Sequence, residues 1–355
     1  MAIDAFSTNS LERAVMQMMR PTRFLLDNFF PSEVFSQGRE SVSFEKVRAK
    51  PRIAPYVHPD VQAKPFAASG RELTEVTPPT VKLLTPIKPS MVLKRALGEQ
   101  IGGGAMSAEQ REAALTEQVI MEHLSAITFR EQQQAGEILT SGTVTVSGDG
   151  YDTAQVINFQ RAGALTIGLT GTDRWTQNDP ASDPEGDIEN VATLVAENDG
   201  GIVTDLVFGP DAWSFFKTRL TALGKLMPLF DYARAGTSSV EVGPQGGVGG
   251  RFLGTLSGQY RCWWYYETYI NAAGTRVPII PRNVMVAVAA GGEGVGFDGM
   301  RGYGSIPNAE LGYASLPYAV TEFMERNPSR KNIMTESSPL MMPGNPNSTA
   351  CVTVS

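Results

Sequence analysis

Apolar positions change their spacing along the chain, and each change predicts a different element. From Ser107 onward they fall at Leu115, Val119, Ile120, Leu124 and Ile127, the recurrence of one helix face. Ser107-Ala-Glu-Gln110 reads as a capping box, with Ser107 at the N-cap and Gln110 three residues on. Gly102-Gly-Gly-Ala-Met106 breaks the chain just before it, no proline interrupts the run, and Gly136 lies near the predicted end. The pattern predicts a helix over 107–135, roughly 45 Å long at 1.5 Å per residue.

Residues 39–95 have no helical period. Ser41 to Arg52 alternates, which puts Lys46, Arg48, Lys50 and Arg52 on one face of an extended strand. A return arm, roughly Arg71 to Pro89, carries Leu73, Val76, Val81, Leu83 and Leu84. Eight prolines punctuate this region, a residue that suits edges and isolated ribbons and is barred from central strands. A two-stranded arm standing away from a core is expected, and such a hairpin is marginal in water without a surface to lie on.

Residues 1–38 have little globular character. A weak helical pattern over Leu11–Met19 stops at Pro21, and the cluster Phe24, Leu25, Leu26, Phe29, Phe30 comes next with no local apolar partner. Such a cluster must bury itself on the rest of the chain or on another chain, and packing partly on a neighbouring subunit is the expectation here. Beyond the long helix, strands are predicted at Thr143–Val146 and Gln155–Phe159. A helix over Ile188–Glu197 is predicted with Asp187 as its cap, then a strand over Ile202–Phe208. A helix from Gly209-Pro210-Asp211 to Leu223 comes next, then a β-prone run Arg261–Ile270 and a buried strand from Val284. The segment 318–342 reads as a strand, a loop at Asn327-Pro-Ser-Arg and a final strand through Ile333.

Charge sharpens this outline. The chain carries −7 overall, yet 39–95 holds eleven Lys and Arg against five acids. Residues 107–137 hold six Glu against two Arg, and 173–199 eight acids against one Arg. Glu109, Glu112, Glu117 and Glu122 on the long helix are therefore candidate partners for the basic face of the arm, within the chain or between copies. The acidic balance disfavours a dedicated nucleic-acid binder.

Candidate chemistry is sparse. Two cysteines and two histidines, Cys262, Cys351, His58 and His123, leave little room for thiol, zinc or imidazole chemistry. Gly224-Lys225 lacks the glycine a phosphate loop needs five positions earlier, and Gly292-Glu-Gly294-Val-Gly296 lacks the dinucleotide spacing. The acids between Asp173 and Asp187 miss the calcium-loop pattern and suit a helix N-terminus. The run Trp263–Tyr266 reads as core packing rather than a base-stacking platform. No catalytic residue, metal ligand or cofactor is assigned. The longest apolar run, near Val284–Ala290, is far short of the ~20 residues that span a bilayer, and no secretory signal is visible at the start.

The order of these elements resembles that of tailed-phage major capsid proteins, and specifically the phage lambda major capsid protein family. The segments that carry the resemblance are Phe29-Phe30-Pro31, Glu45-Lys46-Val47, Thr143–Asp152, Asp187-Ile188-Glu189, Val207–Trp213 and Glu336–Met341. The resemblance implies an α+β chain with the Hong Kong 97-type capsid fold. Its N-terminal arm would be 1–38 and its extended loop 39–95. A peripheral domain at 96–165 would hold a spine helix at 107–135. An axial domain would span 166–312, with a return to the peripheral domain at 313–355. It implies a non-enzymatic shell protein of the virion, assembled in the host cytoplasm into hexamers and pentamers around double-stranded DNA that it encloses without sequence-specific binding. The partners it implies are further copies of itself, a separate scaffolding protein, a portal and a decoration protein. Phe24, Phe29, Phe30, the four basic loop residues and the four helix glutamates become its expected inter-subunit contacts. Two rivals stand beside it: a nanocompartment shell of the same fold enclosing a protein cargo, and a soluble α/β enzyme, for which the sequence offers no convergent polar set.

Overall fold

The structure is a computed structural model. It describes residues 22–94, 106–223, 230–232 and 250–355, apart from short gaps at 37, 40, 48–52, 55, 61, 63–70, 150, 152, 177–178, 180–181, 272, 291–295 and 310–311. The predicted helix at Leu11–Met19 lies outside the described residues, as do Arg48, Lys50 and Arg52.

The long helix runs Ala108–Ser141. Ser107 accepts a hydrogen bond from the Gln110 backbone N–H, and the Gln110 side chain accepts from the Ser107 N–H at 2.9 Å, so the capping box forms. The helix continues past its expected end, because Gly136 is present for close packing rather than termination. A Cβ there would stand 2.6 Å from Ile279 Cγ2 and 2.8 Å from the Ile279 carbonyl oxygen. The stop is Gly142, in the left-handed region at φ 71°, whose N–H returns to the Ile138 carbonyl. Arg161 donates to the Leu139 and Thr140 carbonyls, placing positive charge on the negative end of the helix dipole. Only the second half is well buried, through Ile127, Ala135, Ile138 and Leu139.

That buried half packs on a seven-stranded sheet. Its order is Thr166–Gly168, Thr349–Thr353, Val284–Val288, Asp205–Phe208, Tyr260–Tyr265, Gly250–Leu256 and Phe230–Tyr232. Alternation divides its side chains between two cores. Val284, Val286 and Val288 face the long helix, while Met285 and Ala287 face the helices Pro184–Glu197 and Pro210–Ala222. The helix expected from Asp187 begins instead at Pro184 with Asp183 at the cap, since proline's fixed φ suits the first helical position. Asp187 sits in its first turn and accepts a hydrogen bond from Trp175 Nε1 at 2.7 Å. The strand expected from Ile202 starts at Asp205, and Ile202 is exposed.

The N-terminal segment corrects a second expectation. Phe24–Phe29 is a short helix, and Leu25, Leu26, Phe29 and Phe30 are buried within this same chain. Phe24 stacks on Tyr265 with ring centroids 5.5 Å apart, and Phe30 meets Phe297 edge-on at 5.1 Å. Their partner core is distant in sequence, not in another subunit, so Phe29 and Phe30 have no apolar face left for a neighbour. Ser32–Phe35 then pairs in parallel with Met300–Tyr303, which pairs with Pro339–Met342.

The proline-rich region splits in two. Val42–Val47 and Arg71–Val76 form an isolated ribbon, with Val42 buried at its base. After Pro78-Pro79 the chain leaves the ribbon, and Val81–Ile87 joins Ser329–Ser337 and Ala319–Arg326 in a three-stranded root sheet against the long helix. The hairpin around Asn327 was legible. The strands Pro339–Met342 and Thr349–Thr353 were not.

Candidate assembly surfaces

The ribbon is a surface without a core of its own. Among the described residues its two strands pair only with each other. Lys46 stands in register with Glu72. Toward the tip Ile53 is 93% exposed, Tyr56 is fully exposed and Val57 is exposed. Three apolar side chains in water at the end of a thin hairpin favour a covering surface, and a few such residues at a contact centre carry most of its energy.

The acidic half of the predicted match is only partly available. Glu109 and Glu117 are exposed. Glu112 lies 3.3 Å from Lys331 Nζ, which also pairs with Glu322 at 2.9 Å. Glu122 accepts a hydrogen bond from Gln118. Sequence reasoning missed Lys331, which the root sheet brings to the helix from more than two hundred residues away. The four glutamates share one helix, but two already have partners in the chain.

The root sheet offers a second surface. On the side away from the helix, Leu84 and Phe323 are exposed beside Met334, and Lys82 Nζ lies 2.8 Å from the buried carboxylate of Glu336. Asn308 donates to the same carboxylate. On the helix side, His123 Nε2 is 2.9 Å from the Thr85 hydroxyl and Nδ1 is 2.9 Å from the Thr335 hydroxyl. Burial holds this imidazole below its usual pKa, with Glu122 pulling weakly the other way. A neutral ring bonded at both nitrogens latches the loop root to the long helix.

Other buried ionisable groups also act as ties. Glu131 accepts from the Tyr303 hydroxyl at 3.1 Å, and burial raises its carboxyl pKa while that bond and Arg23 and Arg301 oppose the rise. Glu267, likewise raised by burial, accepts from the Thr22 N–H, the Thr22 hydroxyl and the Tyr265 hydroxyl. Gln132 Nε2 donates to the Thr22 carbonyl. Together these fix where the N-terminal segment enters the fold. Both thiols are buried and pushed up in pKa, Cys351 to about 11, so neither is a poised nucleophile. No group of three or more His, Cys, Asp or Glu among the described residues is placed to hold a metal ion, and no described helix is long and apolar enough to cross a membrane.

Comparison with known proteins identifies the family to which these surfaces belong. The family described as phage major capsid protein E matches residues 7–354. The chain is 27% identical over 347 residues to the major capsid protein of Escherichia phage lambda, covering 96% of each. It is 27% identical over 331 residues to that of Escherichia phage N15, covering 89% of this chain and 90% of the other. Of solved structures, the putative capsid protein of a prophage from E. coli CFT073 superimposes over the full length of both chains with a TM-score of 0.69 at 20% identity. A phage-related protein from Bordetella bronchiseptica RB50 does so with a TM-score of 0.52 at 12% identity, covering 97% and 95%. These two likenesses speak for the fold. The relatives are phage proteins, which favours the phage reading over the nanocompartment one. The chain belongs to the phage major capsid protein E family: it has the Hong Kong 97-type fold and is a major capsid protein of a tailed phage, a structural part of the virion and a subunit of its multimeric shell.

Proposed function

We propose that the subunit builds its shell, as hexamers and pentamers of an icosahedron around double-stranded DNA, by laying the ribbon of one copy across the peripheral region of the next. The observation that carries this reading is the isolated ribbon itself, with Ile53, Tyr56 and Val57 exposed at its tip. The apolar tip supplies burial, and the basic residues Lys46, Arg48, Lys50 and Arg52 supply orientation toward Glu109 and Glu117. Each exposed pair is worth only ~0.2–1 kcal/mol, so the effect comes from repetition at every contact of a closed shell. The division into arm 1–38, loop 39–95, peripheral 96–165, axial 166–312 and return 313–355 belongs to this proposal. So do assembly in the host cytoplasm and the partners: a separate scaffolding protein, a portal and a decoration protein. The acidic chain meets packaged DNA weakly and without sequence preference.

Reversing all four basic residues to Glu tests the docking. Negative-stain microscopy is expected to show no shells, while circular dichroism shows a folded subunit. Shells formed as well as by the parent at physiological salt overturn the charge-guided docking.

A further inference from the structure

An open groove of about 420 Å³ runs between the middle of the long helix, the first strand of the root sheet and the hairpin at Thr268–Pro278. Leu83, Phe129, Tyr269 and Ile270 give it an apolar lining, and Ile270 is 67% exposed. Two exposed arginines, Arg130 and Arg276, line it and no acid does. Arg130 donates to Gln133, and among the described residues neither arginine is paired with a carboxylate. Like charge disfavours the basic loop of a neighbour as the occupant.

The opposite pattern occurs in the turn that leads into the strand Asp205–Phe208. Ile202 is 79% exposed there, and Glu197 and Asp199, a few residues before it, are exposed as well. Among the described residues neither carboxylate has a cation partner. Met324, a comparably exposed side chain on the root sheet, differs, because its neighbour Glu322 is already committed to Lys331. The turn is also held in place. The Gly200 N–H donates to the Val195 carbonyl, and Asn345 and Asn347 donate to the Asp199 and Asn198 carbonyls at 2.8 and 3.0 Å. Little freedom is left for it to lose on binding.

Topology keeps this turn from its own groove. Asp205–Phe208 and Tyr260–Tyr265 run parallel, with Asp205 beside Arg261 and Phe208 beside Trp264. Ile202 precedes this pair of strands and the hairpin at Thr268 follows it, so turn and groove lie at opposite ends.

We propose that Ile202 of one copy seats in this groove of the next, with Glu197 and Asp199 facing Arg130 and Arg276. The inference rests on the shell reading above, since the partner is a second copy of this chain. Its two halves are different surfaces at opposite ends of one body, so the contact is head-to-tail, the kind that generates rings. One turn in one groove covers far less than the ~800 Å² per partner of a typical stable complex. The contact therefore counts in a ring that other contacts also close.

Paired cysteines test it in shells of the full-length protein, since both native thiols are buried. Ile202→Cys with Ile270→Cys, treated with a short bismaleimide, is compared with Ile202→Cys with Met324→Cys. Isotopically light and heavy subunits are mixed before assembly. The expected result is mixed light–heavy links between positions 202 and 270, roughly tenfold or more above the control pair, in shells and not in lone subunits. Links confined within one chain, or a yield no higher than the control in well-formed shells, would overturn the proposal and leave the shell reading standing. Where the cysteines prevent shells, charge exchange decides. Arg130→Glu with Arg276→Glu is expected to lower shell yield several-fold at unchanged circular dichroism. Adding Glu197→Arg with Asp199→Arg is expected to recover most of that yield, and no recovery counts against the contact. Parent protein that forms no particles in negative stain would overturn the shell reading, and this contact with it.

Discussion

The seven-stranded sheet and the loop ribbon are both β structure, yet they are stabilised by opposite means. In the sheet, Asp205–Phe208 and Val284–Val288 are buried at every position, and each face has its own helices. In the ribbon, two strands pair with each other and the tip carries its apolar side chains into water. The first owes its stability to burial within one chain, and the second, in the docking proposed above, gains its burial between chains. A shell subunit needs both: a body that stays folded before assembly, and an element whose burial happens only on assembly.

The sharpest way to break this contrast is to truncate one apolar residue in each region. Phe208→Ala leaves a void in the core and is expected to cost about 3–5 kcal/mol, read as a large fall in the urea midpoint. Tyr56→Ala is expected to leave the subunit midpoint within ~0.5 kcal/mol of the parent while lowering the yield of shells. If Tyr56→Ala destabilised the lone subunit as much as Phe208→Ala, the contrast would fail.

The root sheet lies between the two cases, and His123 measures how firmly the loop is rooted. Thr335→Val removes one partner of the buried imidazole and is expected to cost about 1–3 kcal/mol. The pH dependence has a definite sign. Because the folded pKa is below the usual 6.5, the unfolded chain protonates first. The contribution of His123 is thus full above pH 6.5 and is lost as pH falls from there toward the folded value. Glu131 and Glu267, raised in the fold, act oppositely at lower pH, so the readout is the difference between the parent and His123→Gln. The slope between pH 7 and 5.5 is expected to flatten in the variant, and an unchanged slope would remove the latch.

The smallest effect belongs to the exposed start of the long helix. Ser107→Ala deletes the cap and is expected to cost about 1 kcal/mol without changing shell yield.

What was legible in the sequence was local. The capping box at Ser107 and Gln110, the Gly-Pro start at Gly209 and the alternating ribbon at Val42–Val47 arise from neighbours within a few residues. What was not legible depended on distant partners. Phe29 and Phe30 looked unpartnered because their core comes from Phe297 and Leu340. Gly136 looked like a helix end because only the fold reveals Ile279 beside it. Glu112 looked available because Lys331 is far along the chain. The groove beside Ile270 carried no sequence signal, since its walls come from three separate segments.

The strand Thr349–Thr353 lies between Thr166–Gly168 and Val284–Val288, inside the sheet rather than at its edge. A ribosome delivers residues in order, at about 5–20 per second. The strand at 284 therefore leaves the ribosome with one edge unpaired, and that edge stays open until residues beyond 349 emerge. During that interval the sheet lacks an inner strand, although the residues of the loop ribbon were made long before. The seven-stranded sheet thus has its full set of inner pairings only once residues 349–353 have been made.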